Sequence, residues 1–442
     1  MYYGLIIFSL AFLIRTINLI FQDLNIDSYI IEDQKIYWEW SLKNAYLAHS
    51  SMPTDLLSER MPGAFLYFEF LQWLTNKNLF KVLLIQSVLD SITCVIISNC
   101  AYLINKNLKL YVGLFAAFSP LMIIISSQVL SDTLFLFTFV GSLYFLLKFY
   151  STNGQNYYIF FAAIMLGFSA YVRAATFPFI FLSLPVVYFL VRSCKNNFYQ
   201  SFIVTSLFLV LALAPVNQRL LENLEEGRGF ILTSQTGSHI AYWMVPGVLT
   251  IKSDYDRSKS VEYVNSEIEK LGGFSGDPFE DSNKLSKISL NILSKQSPID
   301  IAYAWLRASL INIVVSPILI DNRVRKLNHP SFANEGNIIV WFKKLISNKE
   351  NMKYAIIIII SCILTAISAI LFFGGFIILY ENNKVFCFLA LPIIIYFCLI
   401  TGPTFSPKYC IPFVPIIFFL QALFLNKLFL FYENWVNSKK NN

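Results

Sequence analysis

Apolar runs long enough to cross a lipid bilayer dominate this sequence. A transmembrane helix needs about 20 consecutive apolar residues, and the chain offers about ten such runs. The composition agrees, because 56% of the residues are hydrophobic and 14% are charged, whereas an average soluble protein is about one quarter charged. The sequence therefore predicts an all-α polytopic membrane protein. It excludes a disordered chain and a disulfide-stapled secreted scaffold.

The predicted spans are joined by loops of very unequal length. The spans are 5–21, 80–104, 110–127, 133–150, 157–171, 177–191, 202–216, 354–380, 385–400 and 410–431. Two connections, 22–78 and 217–353, are long and polar enough to fold outside the bilayer. We expect a transmembrane catalytic module over 1–217 that includes the loop 22–78, a soluble loop over 218–353, and C-terminal transmembrane helices with a short cytoplasmic tail over 354–442.

The basic residues of the short loops predict which side of the membrane each loop faces. Lysines and arginines cluster on the cytoplasmic side of membrane proteins, and here they are Lys106, Lys109, Lys148, Arg192, Lys195, Lys439 and Lys440. The two long loops then face the exterior. We interpret 301–320 as an interfacial helix rather than an eleventh span, because it contains Arg307 and an extra span would move the basic tail outside.

Ionisable residues gather at the predicted external ends of the spans. They are Asp33, Arg60, Asp132, Arg173, Arg219 and Lys408, and an ionisable residue in such a place is a functional candidate. Asp33 belongs to the segment 31–40, whose aromatic and acidic residues alternate at helical spacing. Either this segment is an interfacial helix with solvated acids, or Asp33 is a general base with Glu32 and Tyr37 as further candidates.

A second acid follows the third span. Ser131 or Asp132 can cap the next helix. Alternatively, Asp132 shares one membrane face with Asp33, and two carboxylates in one cleft can divide the acid and base roles.

The cations at the same face have two interpretations. Arg60 precedes a Met-Pro-Gly turn, Arg173 ends the fifth span, Arg219 follows the seventh, and Lys408 precedes the last. Each can extend its charged end from the membrane to water. Together, two acids and several cations match what transfer from a phosphate-linked donor requires, namely a base for the acceptor and positive charge for the leaving phosphate.

Other catalytic motifs do not occur in the chain. It has three widely separated histidines, an odd number of cysteines (seven), and no CxxC or HExxH spacing that predicts a zinc site. A P-loop, GxGxxG and GxSxG are also missing. The motifs thus indicate neither a metal site nor another cofactor.

The order of these motifs resembles the membrane glycosyltransferases of the GT-C fold, specifically the group of protein O-mannosyltransferases and lipid A aminoarabinose transferases. The resemblance covers the chain up to about Arg219 and resumes at Lys408. The matching motifs are Asp33-Gln34 with Tyr37, Arg60-Met61-Pro62, Ser119-Pro120 with Ser131-Asp132, Gly167 through Arg173, Pro215 through Arg219, and Lys408-Tyr409-Cys410-Ile411-Pro412.

This resemblance implies a GT-C-like bundle of about ten transmembrane helices, with interfacial helices in the first external loop and a small external elaboration. It implies an inverting transfer of a hexosyl or pentosyl group from a polyprenyl-phosphate carrier to an acceptor hydroxyl. Asp33 would be the base, with Asp132 supporting it or orienting the acceptor. The residues implied to hold the donor phosphate are Arg60, Arg173, Arg219, Lys408 and Tyr409.

Several features stay open at this level. Gln34 replaces an acid of the family motif, so a divalent cation is left open. The acceptor can be a glycolipid, a polysaccharide or a protein, and nucleic acid is not expected as a partner. We expect a bacterial inner membrane, with the site facing the periplasm or exterior. The alternatives are a transporter or flippase, or a polymerase or ligase, of lipid-linked sugars.

Overall fold

The fold is that of a computed structural model, which describes residues 2–42, 58–195, 197–251, 256–330, 338–382 and 384–440. All regular secondary structure in these residues is helical. The first half contains α1 Tyr2–Ile20, α2 Ile26–Tyr29, α3 Asp33–Leu42, α4 Pro62–Leu74, α5 Leu79–Ile104, α6 Lys109–Ala117, α7 Pro120–Ser126, α8 Asp132–Ser151, α9 Asn156–Val172, α10 Phe177–Lys195 and α11 Phe198–Leu213.

The second half contains α12 Asn217–Glu225, α13 Gln235–His239, α14 Val245–Leu249, α15 Arg257–Lys270, α16 Pro278–Ser294, α17 Pro298–Val314, α18 Asn322–Arg325, α19 Ile338–Ser347, α20 Met352–Asn382, α21 Lys384–Thr401 and α22 Val414–Lys440. Short 3₁₀ turns occupy Lys106–Leu108, Ala174–Thr176, Ala214–Val216, Pro317–Ile320, Lys349–Asn351 and Pro407–Phe413, and a π-helical turn occupies Ile240–Met244.

The apolar helices are those of an integral membrane protein. In the described residues, seven helical stretches are long and apolar enough to cross a membrane, and a bent pair adds an eighth. The third predicted span is this bent pair, α6 and α7. The fifth and ninth are shorter apolar helices, Asn156–Val172 and Ala390–Thr401. The predicted interfacial region 301–320 lies on α17 and a 3₁₀ turn, which are not among the stretches that pass this test.

The third and seventh predicted spans differ in detail from the sequence pattern. Ser119 caps α7 and Pro120 is its first residue, so a new helix begins there at 51° to α6. In the seventh span the apolar run ends at residue 216, but the helix continues to Glu225. Pro215 fits because it lies at the start of a 3₁₀ turn. Arg219 therefore lies within a continuous helical stretch.

Two hydrophobic clusters position the site. The main cluster fills the bundle, where Phe139 packs against Phe179 and Phe397 with ring centroids 5.8 and 5.5 Å away. A second cluster joins α3 and α4 to α5 through buried side chains such as Trp38 and Phe68. Because this second core holds the first loop on the bundle, the residues that flank α3 and α4 have defined positions.

The chain between α12 and α17 forms a compact unit with its own apolar core. Val245, Val264 and Ile288 are among its buried residues. The unit docks on the loop that follows α21, where a side chain on Gly247 would collide with the carbonyl oxygen of Pro403. His239 Nε2 lies 3.2 Å from the carbonyl oxygen of Thr401. These contacts place the unit beside the loop that leads to Lys408.

Candidate functional site

Asp33 is an accessible carboxylate paired with a cation. It is the first residue of α3, and its Oδ1 lies 3.2 Å from Arg60 Nη2. The Asp33 side chain is 52% exposed, whereas that of Arg60 is 22% exposed. Burial by itself would lower the pKa of the Arg60 guanidinium, but Tyr37, Asp33 and Glu59 together raise the pKa. Arg60 is therefore a permanent cation beside a carboxylate that a substrate can reach.

Asp132 is a buried carboxylate paired with a second cation. It begins α8, its side chain is 1% exposed, and its Oδ1 lies 2.9 Å from Arg173 Nη2. Arg173 also donates from Nε to Ser131 Oγ at 3.0 Å. Ser131 is at the N-cap position but makes no capping bond with its side chain. Its hydroxyl bonds Arg173 instead, which distinguishes this turn from a simple helix cap.

The first loop and the turn before Asp132 are bonded directly to each other. Gln34 Oε1 accepts the Val129 N–H at 3.1 Å, and the Tyr29 hydroxyl donates to the Ser127 carbonyl oxygen. Burial raises the pKa of Tyr29 to about 12, so the hydroxyl keeps the proton that it donates. The two acidic motifs are thus held at the same end of the bundle. Gln34 stands where the motif that the sequence resembles has an acid, and its side chain joins the first loop to the turn at Val129.

Tyr409, in the last of the motifs, lies near charged residues of the motifs that contain Asp33 and Asp132. Its phenol lies within electrostatic reach of Asp33, Arg173 and Arg257. The loop before it is held by Asn312, whose amide bonds the Thr404 carbonyl at 3.0 Å and the Ser406 N–H at 2.9 Å.

Lys408 contributes a charge to the same end of the bundle. It lies within electrostatic reach of Glu32, and Arg325 and Lys408 both act to lower the pKa of that carboxyl. The structure therefore places five of the predicted residues at one end of the bundle. They are Asp33, Asp132, Arg173, Lys408 and Tyr409.

Two arginines of this region carry no signal in the sequence. Arg257 stacks its guanidinium over the Trp243 ring at 4.0 Å, and Trp243 lies in the π-helical turn, a feature frequent at functional sites. Arg325 forms two bonds with Glu32, of 2.5 and 3.1 Å. Both arginines belong to the long loop 217–353, where charges are common, and only folding shows which of them approach the site.

Arg219 has a different environment from the other predicted cations. Its Nε donates to the Leu232 carbonyl oxygen at 3.3 Å, and its Nη1 lies 4.0 Å from Glu222 Oε2. The side chain is only 14% exposed. These contacts hold the segment that leads to Ser234, which in turn bonds the backbone of Ser58 at 3.0 Å. A phosphate-binding role for Arg219 stays a prediction.

The glycines of the predicted motifs permit close helix contacts. A Cβ on Gly167 would lie 2.8 Å from Pro215 Cδ, so the motif that ends in Arg173 packs tightly on the motif that contains Pro215. A Cβ on Gly63 would lie 2.7 Å from the Tyr171 carbonyl oxygen. The start of α4 therefore contacts the end of α9, close in sequence to Arg60 and Arg173.

We expect Gly63→Ala to destabilise the fold by about 1–3 kcal/mol, because the added methyl group would force α4 away from α9. Thermal unfolding in detergent would measure this change. Gly4→Ala is the matched control, since its nearest neighbour would be Val95 Cγ1 at an ordinary 3.6 Å. Equal melting temperatures for the two variants would contradict the close contact between α4 and α9.

An apolar cleft lies between the helices of the bundle. It is partly open to its surroundings, and its region contains about 920 Å³ of space not filled by atoms, open solvent included. Its walls include Ile97, Cys100, Phe139, Leu166, Phe179 and Ile416. Such a lining accommodates hydrocarbon and offers little to a polar ligand. In the ranges that the structure describes, no group of three His, Cys, Asp or Glu residues could hold a metal ion.

Solved structures reveal what this architecture is similar to. An oligosaccharyltransferase from Archaeoglobus fulgidus, AglB, in complex with an inhibitory peptide and a dolichol-phosphate, matches all of this chain with a TM-score of 0.53 at 13% identity. The bundle has a GT-C-like fold. The match covers 52% of AglB, so the chain spans about half the length of that enzyme.

A second solved structure is less similar. ArnT from Cupriavidus metallidurans, bound to undecaprenyl phosphate, has 11% identity and a TM-score of 0.41 over 95% of this chain and 77% of its own. The fold assignment rests on the first match. Neither a protein-family model nor a curated relative matches the sequence.

Proposed function

We propose that this protein is an integral membrane glycosyltransferase that moves a sugar from a polyprenyl-phosphate carrier to an acceptor hydroxyl. The observation that carries the proposal is the exposed Asp33 carboxylate, which lies beside Arg60. Tyr409 lies within electrostatic reach of Asp33 and also of Arg173 and Arg257, so further cations are near this carboxylate. A base next to several cations is the combination that displacement of a phosphate leaving group requires.

The reaction is a single inverting displacement. Asp33 accepts the proton of the acceptor hydroxyl while the acceptor oxygen bonds the anomeric carbon of the sugar. The bond from that carbon to the phosphate oxygen breaks, and the polyprenyl phosphate leaves with the electron pair. Cations at this end of the bundle stabilise the charge that develops on the phosphate. They are Arg60, Arg173, Lys408 and Arg257.

Asp132 has a different role from Asp33 in this mechanism. Its side chain is 1% exposed and lies against Arg173, so it does not contact an acceptor directly. We assign it to orienting Arg173 toward the phosphate. Charged groups held by such ion pairs keep their geometry during the reaction, which is the source of electrostatic catalysis.

The lipid part of the donor also has a candidate location. The partly open apolar cleft lies in the same bundle, and an isoprenoid chain that enters it meets an apolar lining and leaves no polar group of its own without a hydrogen-bond partner. The site faces the exterior in this proposal, because the short basic loops lie at the other end of the spans. The membrane would be a bacterial inner membrane.

The test is sugar release from radiolabelled polyprenyl-phosphate donors by the purified protein in nanodiscs, with glycolipid, polysaccharide and peptide acceptors supplied in turn. Time-dependent transfer to one of them, with release of free polyprenyl phosphate, is the expected result. Saturable donor binding with no transfer to any acceptor would contradict the proposed glycosyltransferase activity and favour a transporter of lipid-linked sugars.

We expect Arg257→Met to raise the KM for the donor by a factor of about 10–150, since removal of a charge-assisted hydrogen bond to phosphate costs about 1.5–3 kcal/mol. Donor-dependence of the initial rate would measure it. Lys259→Met is the matched control, because Lys259 is an exposed cation in the first turn of the same helix. An unchanged KM in Arg257→Met would remove Arg257 from the donor site.

A further inference from the structure

A buried ion pair lies inside the bundle, away from the residues of the proposed reaction. Arg15 Nε on α1 lies 2.5 Å from Asp90 Oδ2 on α5, and both side chains are 0% exposed. Arg15 also donates from Nη1 to the Ala11 carbonyl oxygen at 3.1 Å and from Nη2 to Cys94 Sγ at 3.3 Å. Burying charged side chains inside a membrane bundle costs free energy, and such residues usually have a function. The sequence contains both residues within predicted spans, and neither was among the candidates drawn from it.

The remaining two bonds of Arg15 go to the break between α6 and α7. Its Nη1 donates to the Ala117 carbonyl oxygen at 3.1 Å, and its Nη2 lies 3.4 Å from that of Ala116. These are the last carbonyls of α6. In a continuous helix the Ala116 carbonyl would accept the N–H of residue 120, but Pro120 has none. The Ala116 carbonyl accepts the Ser119 N–H instead, at a long 3.4 Å. Arg15 adds a side-chain donor to this carbonyl and to that of Ala117, which favours the break in a membrane interior.

The same face of α5 also holds the other end of α7. Gln86 lies one turn before Asp90, and its Nε2 donates to the carbonyl oxygens of Ser126 at 2.9 Å and Gln128 at 2.7 Å. Gln86 and Asp90 are both 0% exposed. The break before α7 is thus bonded on its α6 side by Arg15, which Asp90 holds, and the end of α7 is bonded by Gln86.

The segment held in this way leads directly into the candidate site. The turn after α7 includes Val129, which bonds Gln34 next to Asp33, and it ends at Asp132, the partner of Arg173. A shift of α7 would therefore move the loop of the base and the ion pair of the phosphate-binding arginine together.

We propose that Arg15, Asp90 and Gln86 are positioning residues, which clamp the 51° bend before α7 and the end of α7 and thereby set the geometry of the catalytic end. The inference deepens the proposed transferase function and rests on it for its kinetic part. Arg15 suits this role because its planar fork can bond a carboxylate and two carbonyls at once. A lysine would keep the charge for Asp90 but would not reach all of these partners.

The test compares Arg15→Lys and Gln86→Met in the full-length protein in nanodiscs. We expect amide hydrogen exchange in residues 118–131 to accelerate about tenfold, because the bonds that close this segment are lost. We also expect kcat to fall about tenfold or more with a donor KM within about twofold of wild type, since misplacement of catalytic groups affects the reaction more than binding.

Ser98→Ala is the matched control. Ser98 is buried on α5 and donates to the Lys109 carbonyl oxygen at 2.7 Å, so it joins α5 to α6 at the end away from the bend. This variant should leave exchange in 118–131 and kcat at their wild-type values. Gln86→Met keeps the volume of the side chain and leaves the ion pair intact, so it tests the clamp even where Arg15→Lys folds poorly.

Two outcomes would overturn the inference. Exchange in 118–131 that is the same in Gln86→Met and Ser98→Ala would show that α7 needs no clamp. Faster exchange with unchanged kcat would show that the clamp does not set the site. If the wild-type protein transfers no sugar, that result counts against the proposed function, and the exchange comparison alone then decides whether α7 is clamped.

Discussion

Asp33→Asn is expected to lower the rate of sugar transfer by a factor of about 10²–10⁴, the usual contribution of a general base. The substitution keeps the shape of the side chain and its place at the start of α3, but an amide does not accept the acceptor proton. The donor should still bind, because the cations around Tyr409 are unchanged.

Initial rates at saturating donor and acceptor would measure this effect, together with donor binding at equilibrium. Asp27→Asn is the matched control, because Asp27 is an exposed acid in the same loop and also lies in the first turn of a helix. Equal rates for wild type and Asp33→Asn would exclude Asp33 as the base. Loss of donor binding in Asp33→Asn would indicate a structural role for its pair with Arg60.

Arg15→Met is expected to destabilise the protein by about 3–5 kcal/mol, the usual cost of leaving one partner of a buried ion pair without the other. Asp90 would remain 0% exposed with no opposite charge. The double variant Arg15→Met with Asp90→Leu should recover a large part of the loss, because it removes both charges. The carbonyls at the end of α6 would still lack the bonds from Arg15.

Thermal unfolding and denaturant titration in detergent would measure the free energy of unfolding of both variants. Arg325→Met is the control, since Arg325 is 40% exposed and its partner Glu32 is 65% exposed. Loss of an exposed pair should cost less than about 1 kcal/mol. A single Arg15→Met variant as stable as the double variant would contradict the view that Asp90 is charged and needs Arg15.

The sequence predicted the individual motifs of the site better than their pairing. Spacing placed Asp33 and Asp132 at the ends of spans on one predicted face, and the structure brings their loops into contact through Gln34 and Val129. Which cation accompanies each acid was not predictable. Arg60 pairs with Asp33 and Arg173 with Asp132, and such pairs depend on how helices that are far apart in sequence pack together.

Some of the residues that the structure adds to the candidates have a signal in the sequence and others have none. Arg15 and Asp90 are charges within apolar runs, a pattern that marks functional candidates in membranes. Arg15 also continues the buried stripe of Ile7 and Ala11 on α1. Arg257 and Arg325 belong to a polar loop with many charges, where sequence patterns do not distinguish them.

What the sequence by itself determined is the class of protein, the approximate spans and the motif order, because these depend on local composition and on spacing along the chain. Lipid requires long apolar runs, and such runs are visible without any knowledge of packing. The tertiary structure alone decided the bend at Ser119-Pro120, the ion pairs and the position of Arg257 near Tyr409. Each depends on contacts between segments that are far apart in sequence, and close packing with satisfied buried polar groups selects them.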